Sequence, residues 1–292
     1  MPELPEVETV RRGLAPVMEG ASFDRVELRR GDLRAPFPPR FAARLKGRRV
    51  EVLRRRGKFL LADLDNQTVL VMHLGMSGSF RIVGDGETRL APDTYYRRGK
   101  LRAHDHVVFH MSSGVDIVFN DPRRFGLMTL VRRDAIDATP PFTAIGVEPL
   151  ADDFSGATLA RLFAGRRAPV KALLLDQRLI AGVGNIYACE ALWLARISPN
   201  RRAGRFTTRS GKPTASADRL AAAIREVLEA AIAAGGSSLR DYIRATGELG
   251  EFQHRFAVYD REGKPCPRTD GGVIHRAVHA GRSTFYCPAC QR

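Results

Sequence analysis

The residue best suited to chemistry stands at the start of the chain. Pro2 follows Met1 in MPELPEVETVRRGL, and removal of Met1 leaves a secondary amine. A terminal amine titrates near ~8 and a lysine near ~10.4, so at neutral pH roughly a tenth of the former is unprotonated, against well under ~0.1% of the latter. A secondary amine attacking a sugar C1′ gives an iminium directly, which is covalent catalysis of the amine type. Taken alone, a proline at position 2 does no more than start a helix. Glu3 beside it can protonate a sugar ring oxygen or pass a proton to a leaving base. Glu6 can anchor the terminus by hydrogen bonding. In isolation both are ordinary first-turn acids.

Other candidates sit on turns. Lys58 ends the basic run Arg54-Arg55-Arg56-Gly57-Lys58, a run that grips phosphate or is simply solvated. Met76 lies in HLGMSG, and Arg123 and Phe125 lie in DPRRFG. An enzyme that everts a base must fill the hole it leaves, and apolar wedges plus an arginine are the usual fillers. Each of the three, alone, is equally a packed turn residue.

The elements that must position these groups are legible in part. Alternating apolar runs predict strands at 50–55, 59–64, 69–74, 79–83, 106–111, 115–120 and 127–131. Short strands between turn signals predict an antiparallel sandwich or barrel. Residues 84–105 are polar and Arg-rich, an exposed excursion. From 150 the pattern turns helical, with Leu220, Ile224, Val227, Leu228 and Ala231 forming a stripe at helical spacing. The Gly-rich turn of Ile180-Ala-Gly-Val-Gly-Asn-Ile-Tyr187 enters a helix. The basic stretch 200–216 reads as a mobile loop, and 251–292 as a small unit of two hairpin-like halves.

Composition narrows the partner. The chain has 292 residues, and its 47 Lys plus Arg against 32 Asp plus Glu leave a formal charge of +15. That excess points to a polyanion, nucleic acid before membrane. No apolar run is long enough to span a bilayer, and the N-terminus has no signal-peptide pattern, so a cytosolic location is expected. Four cysteines in a reducing compartment argue against a disulfide framework. Cys266, Cys287 and Cys290 cluster near the end and suggest a metal site. Cys189 stands apart as a small core residue.

Five motifs in order, MPELPEVETVRRGL, HLGMSG, DPRRFG, GVGNIYACEAL and GRSTFYCPACQ, span the whole chain. Together they resemble the formamidopyrimidine-DNA glycosylase family. The resemblance implies an N-terminal antiparallel β-sandwich over 1–135, a central helix-two-turn-helix domain over 136–250 and a C-terminal zinc-finger-like β-hairpin over 251–292, with DNA in a basic cleft between the first two. It implies Pro2 as Schiff-base nucleophile, Glu3 as the acid of base removal, Lys58 as the acid of β-elimination, and Arg282 for δ-elimination and phosphate holding. It implies His104, Arg123, Arg166 and Asn185 as DNA contacts. Met76, Arg123 and Phe125 would replace the flipped nucleotide, and GELGEF at 247–252 would cover the everted base. The implied activity is removal of 8-oxoguanine and formamidopyrimidines from double-stranded DNA, followed by β,δ-elimination. A monomer in the bacterial cytosol is expected.

The tail departs from the family's four-cysteine zinc finger. The knuckle Cys287-Pro-Ala-Cys290 is intact, whereas Cys266-Pro-Arg-Thr-Asp270 has no second cysteine. Zinc accepts carboxylate or imidazole. Cys266, Asp270, Cys287 and Cys290 are therefore the expected ligands, with His275 second in rank to Asp270, and a metal-free hairpin as the other outcome. Two rival functions stand beside this one. An oxidised-pyrimidine glycosylase of the endonuclease VIII type shares Pro2 and Glu3 but not the LPEVET continuation or the Met76, Arg123, Phe125 set. A non-catalytic lesion-binding module would not need the intact PEL start and Lys58.

Overall fold

The structure is a computed structural model and describes residues 2–84, 87–88, 102–237, 250–279 and 281–292. Most of the Arg-rich excursion, and residues 247–249 of GELGEF, lie outside these residues. The chain divides into two compact units, 1–143 with 234–253, and 144–233 with 254–292.

The first unit begins with helix α1 (Leu4–Met18). Pro5 sits in its first turn, where a missing N–H costs nothing. Leu4, Val7, Val10, Leu14 and Met18 recur at helical spacing and are all buried. Two antiparallel sheets follow. One has the order β1 (Phe23–Leu28), β7 (Asp105–Met111), β8 (Val115–Asn120), β5 (Ser79–Gly84), β6 (Glu87–Thr88). The other has the order β2 (Val50–Arg56), β3 (Phe59–Leu64), β4 (Thr68–His73), β9 (Leu127–Arg132). Their inner faces share one core with α1 and a short helix α2 (Phe41–Leu45). Phe23, Leu60, Leu70, Phe80, Phe109 and Phe119 fill it, each burial contributing about 1.5–3 kcal/mol. All seven predicted strands are present, with ends shifted by a residue or less. β1 was not foreseen: a bulge between Phe23 and Arg25 and two consecutive exposed residues break its alternation.

The second unit holds α3 (Gly156–Phe163), α4 (Val170–Leu174), α5 (Asn185–Leu194) and α6 (Ala215–Ala233), then the hairpin β10 (His275–His279) and β11 (Arg282–Tyr286). The predicted stripe from Leu220 to Ala231 is the buried face of α6. The stretch 200–216 corrects an expectation. It is not a loose loop, because Ala203–Phe206 forms a 3-10 turn whose Phe206 is fully buried, edge-on to Phe163 at 5.7 Å. A bridge between Thr207 and Pro213 then closes the segment. No helix among the described residues is long and apolar enough to cross a membrane.

Candidate active site and nucleic-acid interface

Pro2 and Glu3 are buried at the mouth of α1. The anchor is Glu6, only 2% exposed. Its Oε2 accepts from the Glu3 backbone N–H at 2.8 Å. Its Oε1 accepts from the N–H of Ser237 at 2.8 Å and the hydroxyl of Ser237 at 3.2 Å. One carboxylate thus ties the chain start to the strand-like segment at 237. The helix itself is pinned to β2: Arg55 Nε lies 3.4 Å from Glu8, and Arg11 donates to the Leu53 carbonyl at 3.2 Å. Burial acts to raise Glu8, but hydrogen bonds from Arg11 and Arg12 and the charges of Arg11 and Arg55 together outweigh it and hold Glu8 below the usual carboxylate range.

The basic run therefore has internal work. Arg54 forms a forked pair with buried Asp63 at 2.5 and 2.8 Å, and Arg55 braces α1. Lys58, on the turn between β2 and β3, is 7% exposed. Across the β3–β4 ladder Phe59 pairs with His73, their rings 4.7 Å apart. Burial, then the charges of Lys58 and Arg34, push His73 down to about 4. Its Nδ1 accepts from the Gly75 N–H at 2.9 Å, so Nε2 carries the ring hydrogen. His73, a neutral donor beside Lys58, is a functional candidate that the sequence argument passed over, although it heads the HLGMSG motif.

The HLGMSG and DPRRFG turns form one body. Gly75 has φ +63°, and a Cβ there would overlap the Phe125 carbonyl and lie 2.6 Å from Gly126 N. Fully buried Asp121 organises the joint. Its Oδ1 accepts from Ser77 Oγ at 2.6 Å and its Oδ2 from Gly126 N–H at 2.7 Å, while Ser77 Oγ accepts from Arg123 N–H at 3.2 Å. Arg123 and Phe125 are exposed, with the guanidinium 4.9 Å from the ring centroid. Met76 is half-buried on the facing turn. His104 joins through its carbonyl, which accepts from Asp121 N–H at 3.0 Å. Met76, His104, Arg123 and Phe125 are thus brought together.

In the second unit Asn185 opens α5 after a turn containing Gly182 at φ +82°. Helix starts present N–H groups and a positive dipole to anions. Lys171 is completely buried. Its Nζ donates to Asn185 Oδ1 at 2.7 Å, Thr284 Oγ1 at 2.7 Å and the Ser283 carbonyl at 3.3 Å. Asn185 Nδ2 donates to that same carbonyl at 2.9 Å. The residue after Arg282 is therefore clamped, while Arg282 itself is exposed. Lys171 was also missed by the sequence argument, because a lysine in VKALLL looks like a solvated cation. Arg166 lies beyond the end of α3, exposed, its Nε donating to the Leu162 carbonyl at 2.8 Å. No bond joins it to Asn185 or the hairpin among the described residues.

The hairpin docks on α5. Buried Glu190 accepts the N–H groups of Ala257, Val258 and Tyr259 at 2.9, 3.0 and 2.8 Å; burial pushes its pKa up despite them. One ligand atom each from Cys266, Asp270, Cys287 and Cys290 lies within 4.8 Å of all the others. Cys266 and Cys290 sulfurs are 4.0 Å apart, and Cys287 Sγ is 3.7 Å from Asp270 Oδ2. Tetrahedral zinc with thiolate and carboxylate ligands brings their atoms to about 3.5–3.8 Å apart, so these four residues fit such an ion once they close in by at most about 1 Å. Gly272 makes room, since a Cβ there would lie 2.5 Å from Cys287 Sγ. Burial, Asp270 and the sister thiols push the Cys290 thiol up, which is the charge that a divalent cation offsets. His275 is outside the group, its ring 6.2 Å from that of Tyr286.

A buried Pro2-Glu3 pair at the start of a helix, two interlocked turns bearing Met76, Arg123 and Phe125, and a helix entered through a Gly-rich turn are together the features of a DNA glycosylase of the helix-two-turn-helix class. Comparison with known proteins takes this further. The formamidopyrimidine-DNA glycosylase N-terminal domain matches residues 1–128, and the H2TH domain of that enzyme matches residues 145–242. The formamidopyrimidine-DNA glycosylase of Beijerinckia indica subsp. indica is 62% identical, with 100% of both chains covered. Among solved structures, MutM (Fpg) of Thermus thermophilus superposes with a TM-score of 0.81 at 42% identity, covering 99% of this chain and 98% of that one. Lactococcus lactis Fpg in complex with abasic-site DNA gives 0.83 at 32% identity, covering 99% of each. The chain belongs to the formamidopyrimidine-DNA glycosylase family. It is a base-excision DNA glycosylase for oxidised purines with abasic-site lyase activity.

Proposed function

We propose that Pro2, freed of Met1, is the nucleophile. The observation that carries this reading is the Glu6 clamp, which holds the chain start at a fixed place between Glu3 and Ser237. The Pro2 nitrogen attacks C1′, the bond from C1′ to the base breaks, and the base leaves with a proton. The sugar ring opens as the C1′–O4′ electrons pass to O4′, which Glu3 protonates, leaving the iminium. Loss of a C2′ proton expels the 3′-phosphate, with Lys58 supplying acid. A second elimination expels the 5′-phosphate beside Arg282, and water then releases Pro2. Met76, Arg123 and Phe125 fill the vacated space. Arg123 offers paired donors to the acceptors on the pairing edge of cytosine. His104, Arg166 and the second amide hydrogen of Asn185 hold phosphates of the damaged duplex.

Zinc held by Cys266, Asp270, Cys287 and Cys290 would supply a rigid cross-link beneath Arg282. The protein works as a monomer in the bacterial cytosol. Borohydride trapping on a duplex with 8-oxoguanine opposite cytosine tests the nucleophile. A covalent adduct is expected from the processed chain and none from a chain carrying an uncleaved N-terminal extension. Undiminished trapping by the extended chain would move the nucleophile to a lysine.

A further inference from the structure

Trp193 is the only tryptophan in the chain and lies near the end of α5, the helix that Asn185 opens. Its indole N–H donates to Cys266 Sγ at 3.5 Å. Its ring carries the Arg268 guanidinium, 4.3 Å from the centroid. Arg268 Nη2 also donates to the carbonyls of Trp193 and Leu194 at 3.1 and 3.0 Å, at the C-terminal end of α5. Arg268 sits midway between Cys266 and Asp270 in sequence. The loop bearing two of the four metal-ligand candidates is therefore fastened to the end of α5 by one indole and one guanidinium.

We infer that Trp193 is a hydrogen-bond donor to the metal-bearing thiolate of Cys266, setting the donor strength of that sulfur and coupling metal occupancy of the hairpin to helix α5. This rests on the hairpin being a metal site. Packing alone would be served by any large aromatic side chain, since the surroundings are apolar: Cys189, Val258, Ile274 and Phe285. Trp193 is half-buried, and its indole N–H turns to a ligand sulfur as its acceptor. A thiolate is a stronger acceptor than a thiol, because hydrogen bonds to ionised groups are shorter and stronger. Three thiolates and a carboxylate around a divalent ion carry a formal net negative charge. The indole N–H and Arg268 are placed to offset it. Partners of this kind typically change metal affinity by about 10–100-fold.

Cobalt(II) gives the test, because thiolate-to-cobalt charge transfer reports the electron density on sulfur. In the full-length protein, cobalt titration should quench Trp193 fluorescence with one equivalent, in step with growth of the charge-transfer band. Trp193→Phe keeps a ring under Arg268 but removes the donor. It should bind cobalt and zinc at least ~10-fold more weakly, with the band moved to longer wavelength. A merely structural role would leave the band in place. Unchanged affinity and band position in Trp193→Phe would overturn the inference, as would a wild-type cobalt band that grows without quenching. A wild-type protein giving no cobalt–thiolate band at all would refute the metal site itself, and this inference with it.

Discussion

Replacing Glu6 by Gln asks how much of catalysis depends on holding the chain start still. The carboxylate accepts hydrogen bonds from Glu3 N–H at 2.8 Å and from Ser237 N–H and Oγ at 2.8 and 3.2 Å. Glutamine keeps one acceptor oxygen. Whichever way the amide turns, its NH₂ faces a backbone N–H. One bond to a charged acceptor, worth about 1.5–3 kcal/mol, is lost, and one buried donor is left facing another at a cost of about 1–3 kcal/mol. Relief from burying a charge offsets part of this. A net loss of about 2–3 kcal/mol is expected in urea denaturation. If the amide turns its oxygen to Ser237, the loss falls on Glu3 and its neighbour Pro2. Each 1.36 kcal/mol is tenfold in rate, so single-turnover borohydride trapping should slow by about 30-fold or more. Binding to a duplex with an uncleavable abasic analogue should change far less, since no phosphate contact is touched. Wild-type trapping by Glu6→Gln, or a loss of DNA binding as large as the loss of trapping, would refute the clamp.

Lys171→Met removes the cation shared by Asn185, Ser283 and Thr284. It should lower stability by about 2–4 kcal/mol and shift products from δ- toward β-elimination, as resolved on a sequencing gel; unaltered melting and product ratio would contradict the Lys171 clamp. His73 is held down at about 4 against about 6.5 unfolded, so the unfolded chain binds the extra proton between these values. Its contribution is therefore complete above about pH 6.5 and is lost as pH falls toward about 4, by up to about 3 kcal/mol. Urea midpoints across that range should fall less steeply in His73→Gln, and parallel curves would exclude His73 as the source. Zinc per chain should drop in Asp270→Ala and stay near one in His275→Ala, as read by elemental analysis. The reverse pattern would give the fourth place to His275.

Much of this architecture is written in local patterns. The sheet strands announce themselves because β3, β4, β7 and β8 are short apolar runs bounded by turn residues, and the α6 stripe recurs at helical spacing. Pro2, Glu3, Lys58 and the Met76 and Arg123–Phe125 turns stand out as candidates through ordered motifs. What stayed hidden depends on partners far along the chain. Glu6 meets Ser237 across 231 positions, and nothing local to ELPEVE marks that pairing. Lys171 reaches Thr284 across 113, so its neutral-looking helical setting conceals a buried cation. The basic stretch around 205 looked loose because its charges outnumber its apolar groups, yet one buried ring, Phe206, is enough to fold it down.

The absence of a side chain at Gly75 reaches further than local packing. Because the backbone of Phe125 lies where a Cβ would stand, the Met76 turn and the Arg123–Phe125 turn interlock before any DNA arrives. The conformational freedom of these two turns is surrendered during folding, not at each encounter with a ligand. With the proposed wedge role, a protein that must interrogate very many intact base pairs for each damaged one would meet every pair with a preformed wedge, leaving the DNA to deform. Discrimination would thereby shift onto the helix being read: a weakly stacked pair would yield to the wedge, and a sound one would push it back.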